Sequence, residues 1–67
     1  MKTEEQMRQL LREACDKAGS QRAFALANGV SAQYVGAVLM GDKVMSEKIG
    51  KALGYQKDKG WVKRKPK

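Results

Sequence analysis

Side-chain chemistry is available to this chain in two places, and neither has the makings of a reaction centre. The first is Cys15, the single thiol. A reactive thiolate needs an activating base and partial exposure, yet the chain contains no histidine. Cys15 also falls on an apolar stripe, so a buried, inert thiol is expected. One cysteine excludes an internal disulfide framework, and without histidine a zinc site has almost no ligands. No nucleophile–base pair stands in the sequence, so neither an enzyme nor a cofactor is expected. The second place is Ala23 to Gly41, which carries no charged side chain. Its outward groups are amides, hydroxyls and methyls, and the long amide of Gln33 is of the type that can bond adenine bidentately.

The charges lie elsewhere. From Met1 to Asp42 five bases face five acids, whereas Lys43 to Lys67 holds nine bases against two acids. The whole net charge of +7 therefore sits in the last 25 residues. A basic segment of this kind suits a polyanion, most simply nucleic acid. A solubilising tail is the plainer reading of the final KRKPK.

Those groups must be positioned by a small scaffold. Sixty-seven residues make one domain that buries only about 60% of its unfolded surface. Short helices with local contacts suit that limit. Thr3 and Gln6 have capping-box spacing, with Glu4 and Glu5 favourably placed at a helix N-terminus. Met7, Leu10, Leu11, Ala14, Cys15 and Ala18 then form one apolar stripe, closed by Gly19. Ser20 is expected to cap a second helix, leaving the backbone donors of Gln21 and Arg22 at a positive terminus that suits a phosphate. Phe24 fills the core of that helix and Ala25 permits a close crossing. Gly29 ends it, because glycine takes the left-handed conformation at little cost. Val30 follows as a buried pivot. Ser31 caps a third helix that runs to about Met40 and stops at Gly41.

At 100° per residue, Val35, Val38 and Leu39 share one face of the third helix. Gln33, Ala37 and Met40 point roughly opposite, with Gly36 beside them and Tyr34 on the other flank. A solvated face normally carries Lys, Glu or Arg. This one is either the hydrophobic centre of a small bundle or a surface that reads bases with amides and methyls. The second account is favoured, because small uncharged residues let a helix lie deep in a groove.

Gln21–Gly41 thus has the form helix, glycine turn, helix. With Gln21 opening the first helix, Ala25 at the small-residue position, Gly29 in the turn, and Val35 and Val38 in the second helix, it resembles the helix-turn-helix of the lambda-repressor-like (Cro/cI) DNA-binding family. The flanking stretches LLREACDKAG and SEKIGKALGY extend the resemblance over about Met7 to Tyr55. It implies an all-α, compact domain of four or five helices whose second motif helix, about 31–40, enters the major groove of double-stranded DNA. Gln21 would contact a phosphate, and Ser31, Ala32, Gln33, Gly36 and Ala37 would face bases. Only Gln33 among these is long and polar, which points to thymine methyl contacts or to indirect readout of DNA shape.

Beyond Gly41, Lys43 is placed for a phosphate contact at the end of the reading helix. Ser46 is expected to cap a last helix, Glu47 to about Leu53, which returns Ile49, Ala52 and Leu53 to the core and ends at Gly54. Lys48 and Lys51 are read as exposed. The sequence divides into a helical domain, 1–55, and a basic arm, 56–67, whose end is expected to be disordered. Within the arm, Trp61 and Val62 could pack on the first helix, offer a strand or patch to a second subunit, or lie along DNA beside Lys63 and Arg64. Tyr55 and Trp61–Val62 flank Lys57-Asp58-Lys59-Gly60, which could turn a small hairpin or simply extend an arm. Packing with partial order ranks first, since an isolated two-stranded ribbon is marginal.

These readings together lead to a sequence-specific, phage-type transcriptional regulator that works by occupying DNA. A monomer on one half-site and a homodimer, stable or formed only on DNA, both fit. No sensor domain for a small ligand fits the length. No apolar run approaches the roughly 18 residues of a membrane span, and no export signal pattern opens the chain, so a reduced, cytoplasmic setting in a bacterial host is expected. Two other classes remain open: a protein-interaction adaptor with Met40, Val44 and Met45 as its patch, and a non-specific nucleic-acid binder acting through its tail.

Overall fold

A hydroxyl opens every helix among the described residues. The computed structural model describes residues 1–63. It comprises α1 (Glu4–Ala18), α2 (Gln21–Asn28), α3 (Ala32–Met40) and α4 (Glu47–Ala52), followed by an antiparallel hairpin of β1 (Tyr55–Lys57) and β2 (Trp61–Lys63). The N-caps are Thr3, Ser20, Ser31 and Ser46, whose side chains accept from the backbone of Gln6, Ala23, Tyr34 and Ile49. Thr3 and Gln6 form a reciprocal capping box, at 2.9 and 3.2 Å. Each cap satisfies a backbone donor that the helix leaves unpaired, which contributes about 1 kcal/mol per helix. These starts agree with the sequence.

The two motif helices end by the same device. Gly29 (φ +68°) and Gly41 (φ +86°) are left-handed, and the following amides reach back five residues, Val30 N to Ala25 O at 3.0 Å and Asp42 N to Ala37 O at 2.9 Å. This is a Schellman closure, which turns the chain sharply while using carbonyls the helix leaves free. The turn between α2 and α3 is thereby fixed by backbone hydrogen bonds.

The core takes Met7, Leu11 and Cys15 from α1, Phe24 and Ala25 from α2, Val35 and Val38 from α3, then Met45, Ile49 and Trp61. Several finer expectations are corrected. Ala18, at the end of the α1 stripe, is exposed because the last turn extends past the bundle. Val30 is only half-buried. Helix α4 stops at Ala52, one residue short of the expected end, and Ala52 itself is exposed. In its place Gly50 faces the core. A Cβ on Gly50 would strike the indole ring of Trp61, with Cη2 2.8 Å away. The missing side chain makes room for the largest residue of the core.

Trp61 is 1% exposed and anchors the hairpin in the helical unit, while Gln56, Lys57, Asp58, Lys59 and Lys63 stay exposed. The indole lies against Gly50 of α4 and bonds Glu4 of the first helix. Burying a tryptophan removes about 200 Å² from water, an upper contribution of about 5 kcal/mol at about 25 cal/mol/Å². The backbone of β2 is tied to the start of the chain, Lys2 N to Trp61 O at 2.7 Å and Trp61 N to Lys2 O at 2.9 Å. Glu4 completes the junction. One carboxylate oxygen accepts from Trp61 Nε1 at 2.9 Å and the other from Met45 N at 3.0 Å. Lys57 Nζ lies 3.7 Å from the first oxygen and 5.0 Å from the indole centroid. Burial opposes the charge on Glu4, but these donors, with Lys57 and Arg8, hold its carboxyl below the ordinary value. Hydrogen bonds to an ionised acceptor are about twice as strong as neutral ones, so Glu4 joins α1, the loop before α4 and the hairpin. Arg64 and the rest of the tail lie outside the described residues.

Candidate nucleic-acid interface

Helix α3 is held from behind and open in front. Val35 and Val38 are buried, Leu39 and Ala32 pack half-buried against the core, and Gln33 and Met40 are exposed. Residues three and four apart share a helix face, so Gln33, Ala37 and Met40 form an outward ridge. Met40 is 77% exposed.

A shallow groove runs along each side of this ridge. The first, about 360 Å³, is lined by Ser31, Gln33, Tyr34, Ala37 and Lys43. Four of these five are residues that the sequence marks as base or phosphate contacts on or near the helix, with Tyr34 as the flank. Its walls contain one cation and no acid. The Tyr34 hydroxyl donates to Val44 O at 2.8 Å, which ties the loop after α3 to the helix and commits the proton that a phosphate would have taken. The Ser31 hydroxyl accepts from Tyr34 N at 3.3 Å and keeps its own proton to donate.

The second groove, about 520 Å³, lies between α1, the start of α2 and α3, and is lined by residues including Arg12, Asp16, Gln21, Gly36 and Met40. Arg12 and Asp16 offset each other there. Gln21 Oε1 stands 3.1 Å from where a Cβ of Gly36 would be, so the expected phosphate contact and the expected base-facing glycine share one groove. The glycine makes room for Gln21, which is a different use from clearance for a ligand. Cys15 also borders this groove but is buried; burial pushes its thiol up, and Asp16 adds to the effect. Both effects disfavour the thiolate, which is the nucleophilic form.

The remaining expected residues are dispersed. Ala32 packs half-buried at the back of the first turn of α3. Arg22 is exposed on α2 and Lys63 is exposed at the end of β2, and neither lines a groove beside α3. Of the proposed adaptor patch, Val44 is 72% exposed but Met45 is buried, because its amide is drawn inward by Glu4. Lys48 is a residue whose position the sequence did not reveal. Its Nζ donates to Gly29 O at 2.9 Å, placing a positive charge on the negative end of α2 and at the turn before α3. Nothing in the local pattern of α4 signals this bond across 19 residues.

Among the described residues no group of carboxylate, thiol and imidazole ligands could hold a metal ion, and no helix is long and apolar enough to cross a membrane. Comparison with protein-family models, with curated proteins and with solved structures finds no match to this chain.

Proposed function

We propose that this chain is a sequence-specific double-stranded DNA-binding transcriptional regulator of phage or prophage type, with the lambda-repressor-like architecture its motif residues resemble. It acts in the cytoplasm of a bacterial host, inserts α3 into the major groove, and performs no chemistry. The observation that carries this reading is the uncharged ridge of Gln33, Ala37 and Met40, presented beyond a Schellman-closed turn and bordered by a groove whose only ionic group is Lys43. A helix about 10–12 Å across fits a major groove of about 12 Å. Attraction to phosphate comes from the surplus of bases after residue 42, and discrimination among sequences from α3.

Selection from random duplex DNA, followed by binding across a salt series, tests the reading. Gln33→Ala should relax the preferred sequence and leave the salt slope nearly unchanged. Truncation after Lys63, which spares β2, should weaken all sequences together and flatten the slope by about 0.9 for each phosphate that the tail neutralises. If selection enriches no sequence, the regulator reading fails and the adaptor or tail-binding reading takes its place. Light scattering of the free protein decides between a monomer and a homodimer.

A further inference from the structure

We infer that the ridge of α3 reads adenine–thymine pairs, with Gln33 on the adenine edge and the methyl groups of Ala37 and Met40 against thymine 5-methyls. This rests on the DNA-binding reading and specifies which base edges the site accepts. The chemistry displayed by the ridge is narrow. It offers one carboxamide, which gives and accepts a hydrogen bond, and otherwise only carbon and sulfur surface. Adenine presents an acceptor at N7 and a donor at N6, the pattern a carboxamide matches with both arms. Guanine presents two acceptors, which suit a guanidinium or ammonium, and α3 carries neither. In the groove beside Gln33 the cation is Lys43, three residues past the helix, whose backbone is tied to Ala37 O at 3.3 Å. In the groove beside Met40 the cation is Arg12, which Asp16 offsets. Cytosine presents a donor that a carboxylate reads best, and the ridge and the groove beside Gln33 contain no acid.

The thymine half of the pair is argued from surface that solvent would otherwise wet. Met7 and Met45 are buried in this small core, whereas Met40 is 77% exposed at the C-terminal end of the uncharged ridge. The groove beside Gln33 has a chiefly apolar wall made by Ala37 and the Tyr34 ring. The Tyr34 hydroxyl is already bonded to Val44 O, so the ring offers that groove no donor. A methyl group projecting from a base edge matches this wall, while the groove's polar groups are Ser31, Gln33 and Lys43.

The test begins with the duplex enriched by selection. An adenine–thymine core is expected. Replacing the core thymines by uracil removes only the 5-methyl groups and keeps every base-pairing hydrogen bond. Binding should weaken about fourfold for each contacted methyl, the effect of burying one such group. In Met40→Ala, at an exposed site where alanine is the better helix former, the uracil penalty should shrink at the pair facing residue 40. Equal binding of the thymine and uracil duplexes overturns the inference. An enriched guanine–cytosine core also overturns it while leaving the regulator reading intact. The absence of any enriched sequence overturns both.

Discussion

Gly50→Ala separates the structure from what the sequence alone would forecast. In the interior of an exposed helix, replacing glycine by alanine stabilises by about 1 kcal/mol, through backbone entropy and helix propensity. In α4 the new methyl would meet Cζ3 of the Trp61 indole, with Cη2 at 2.8 Å and Cε3 at 3.0 Å, where carbon atoms prefer about 3.5–4.0 Å. The indole has little freedom to retreat. It is fully buried, its Nε1 is held by Glu4 at 2.9 Å, and its backbone is paired with Lys2 in both directions. Overpacking of this kind costs about 1–3 kcal/mol and sometimes more. Contacts this close to a held indole belong in the upper half of that range, about 2–3 kcal/mol, so after the propensity gain the net is a loss of about 1–2 kcal/mol. A chain of this length has roughly 3–10 kcal/mol of stability in total, so the midpoint of thermal unfolding should fall by about 5–15 °C. Circular dichroism through a thermal and a urea transition measures both values. Trp61→Leu in the same background should recover part of the loss, giving a coupling between the sites that a double-mutant cycle isolates. A Gly50→Ala protein that melts higher than the parent refutes the packing of α4 against Trp61.

Two further predictions concern the groups that hold the site in place. Glu4 has a lowered carboxyl, so its contribution is present above the unfolded value near 4.3 and is lost as pH falls through the lower folded value. Glu4→Gln should cost stability at pH 7 and flatten the acid limb of the stability–pH curve; an acid limb equal to that of the parent would remove Glu4 from the junction. Tyr34→Phe deletes the bond to Val44 O and should cost about 0.5–1.5 kcal/mol. On the DNA-binding reading it lowers affinity without changing the selected sequence, and a changed sequence preference would make Tyr34 a reader of bases.

The helices are legible in the sequence because their signals are local. Thr3 with Gln6, Ser20, Ser31 and Ser46 at the starts, and Gly19, Gly29 and Gly41 at the ends, each act within five residues of where they stand. The ridge of α3 is legible for the same reason, since periodicity alone orients Gln33, Ala37 and Met40. What is not legible spans the chain. The bond from Trp61 to Glu4 crosses 57 residues and that from Met45 to Glu4 crosses 41, and no periodic pattern encodes either. By sequence Glu4 is only a charge favourable to a helix start. Gly50 is the local trace of the junction. It stands inside a helical pattern with no turn to make and costs that helix about 1 kcal/mol relative to alanine, and the fold gives the reason in the indole packed against it.

The long-range junction also changes which cations a polyanion can use. By sequence Lys43 is singled out among the nine bases after residue 42 for a phosphate contact, and Lys48 and Lys51 are read only as exposed. In the fold, Lys57 is held between the carboxylate of Glu4 and the face of Trp61, and Lys48 is bonded to the carbonyl that ends α2. A lysine already paired gains less from a phosphate, because the new bond competes with the old one. Lys43 has no such commitment among the described residues and stands at the end of the groove that holds Gln33. If α3 enters DNA, Lys43 is therefore the cation that fixes its register, while Lys48 acts one step back by holding the turn from which α3 projects. The scaffold thus keeps charge off the ridge itself, with Lys43 at one end, Lys48 behind the turn at the other, and the offsetting pair Arg12 and Asp16 in the groove along its side.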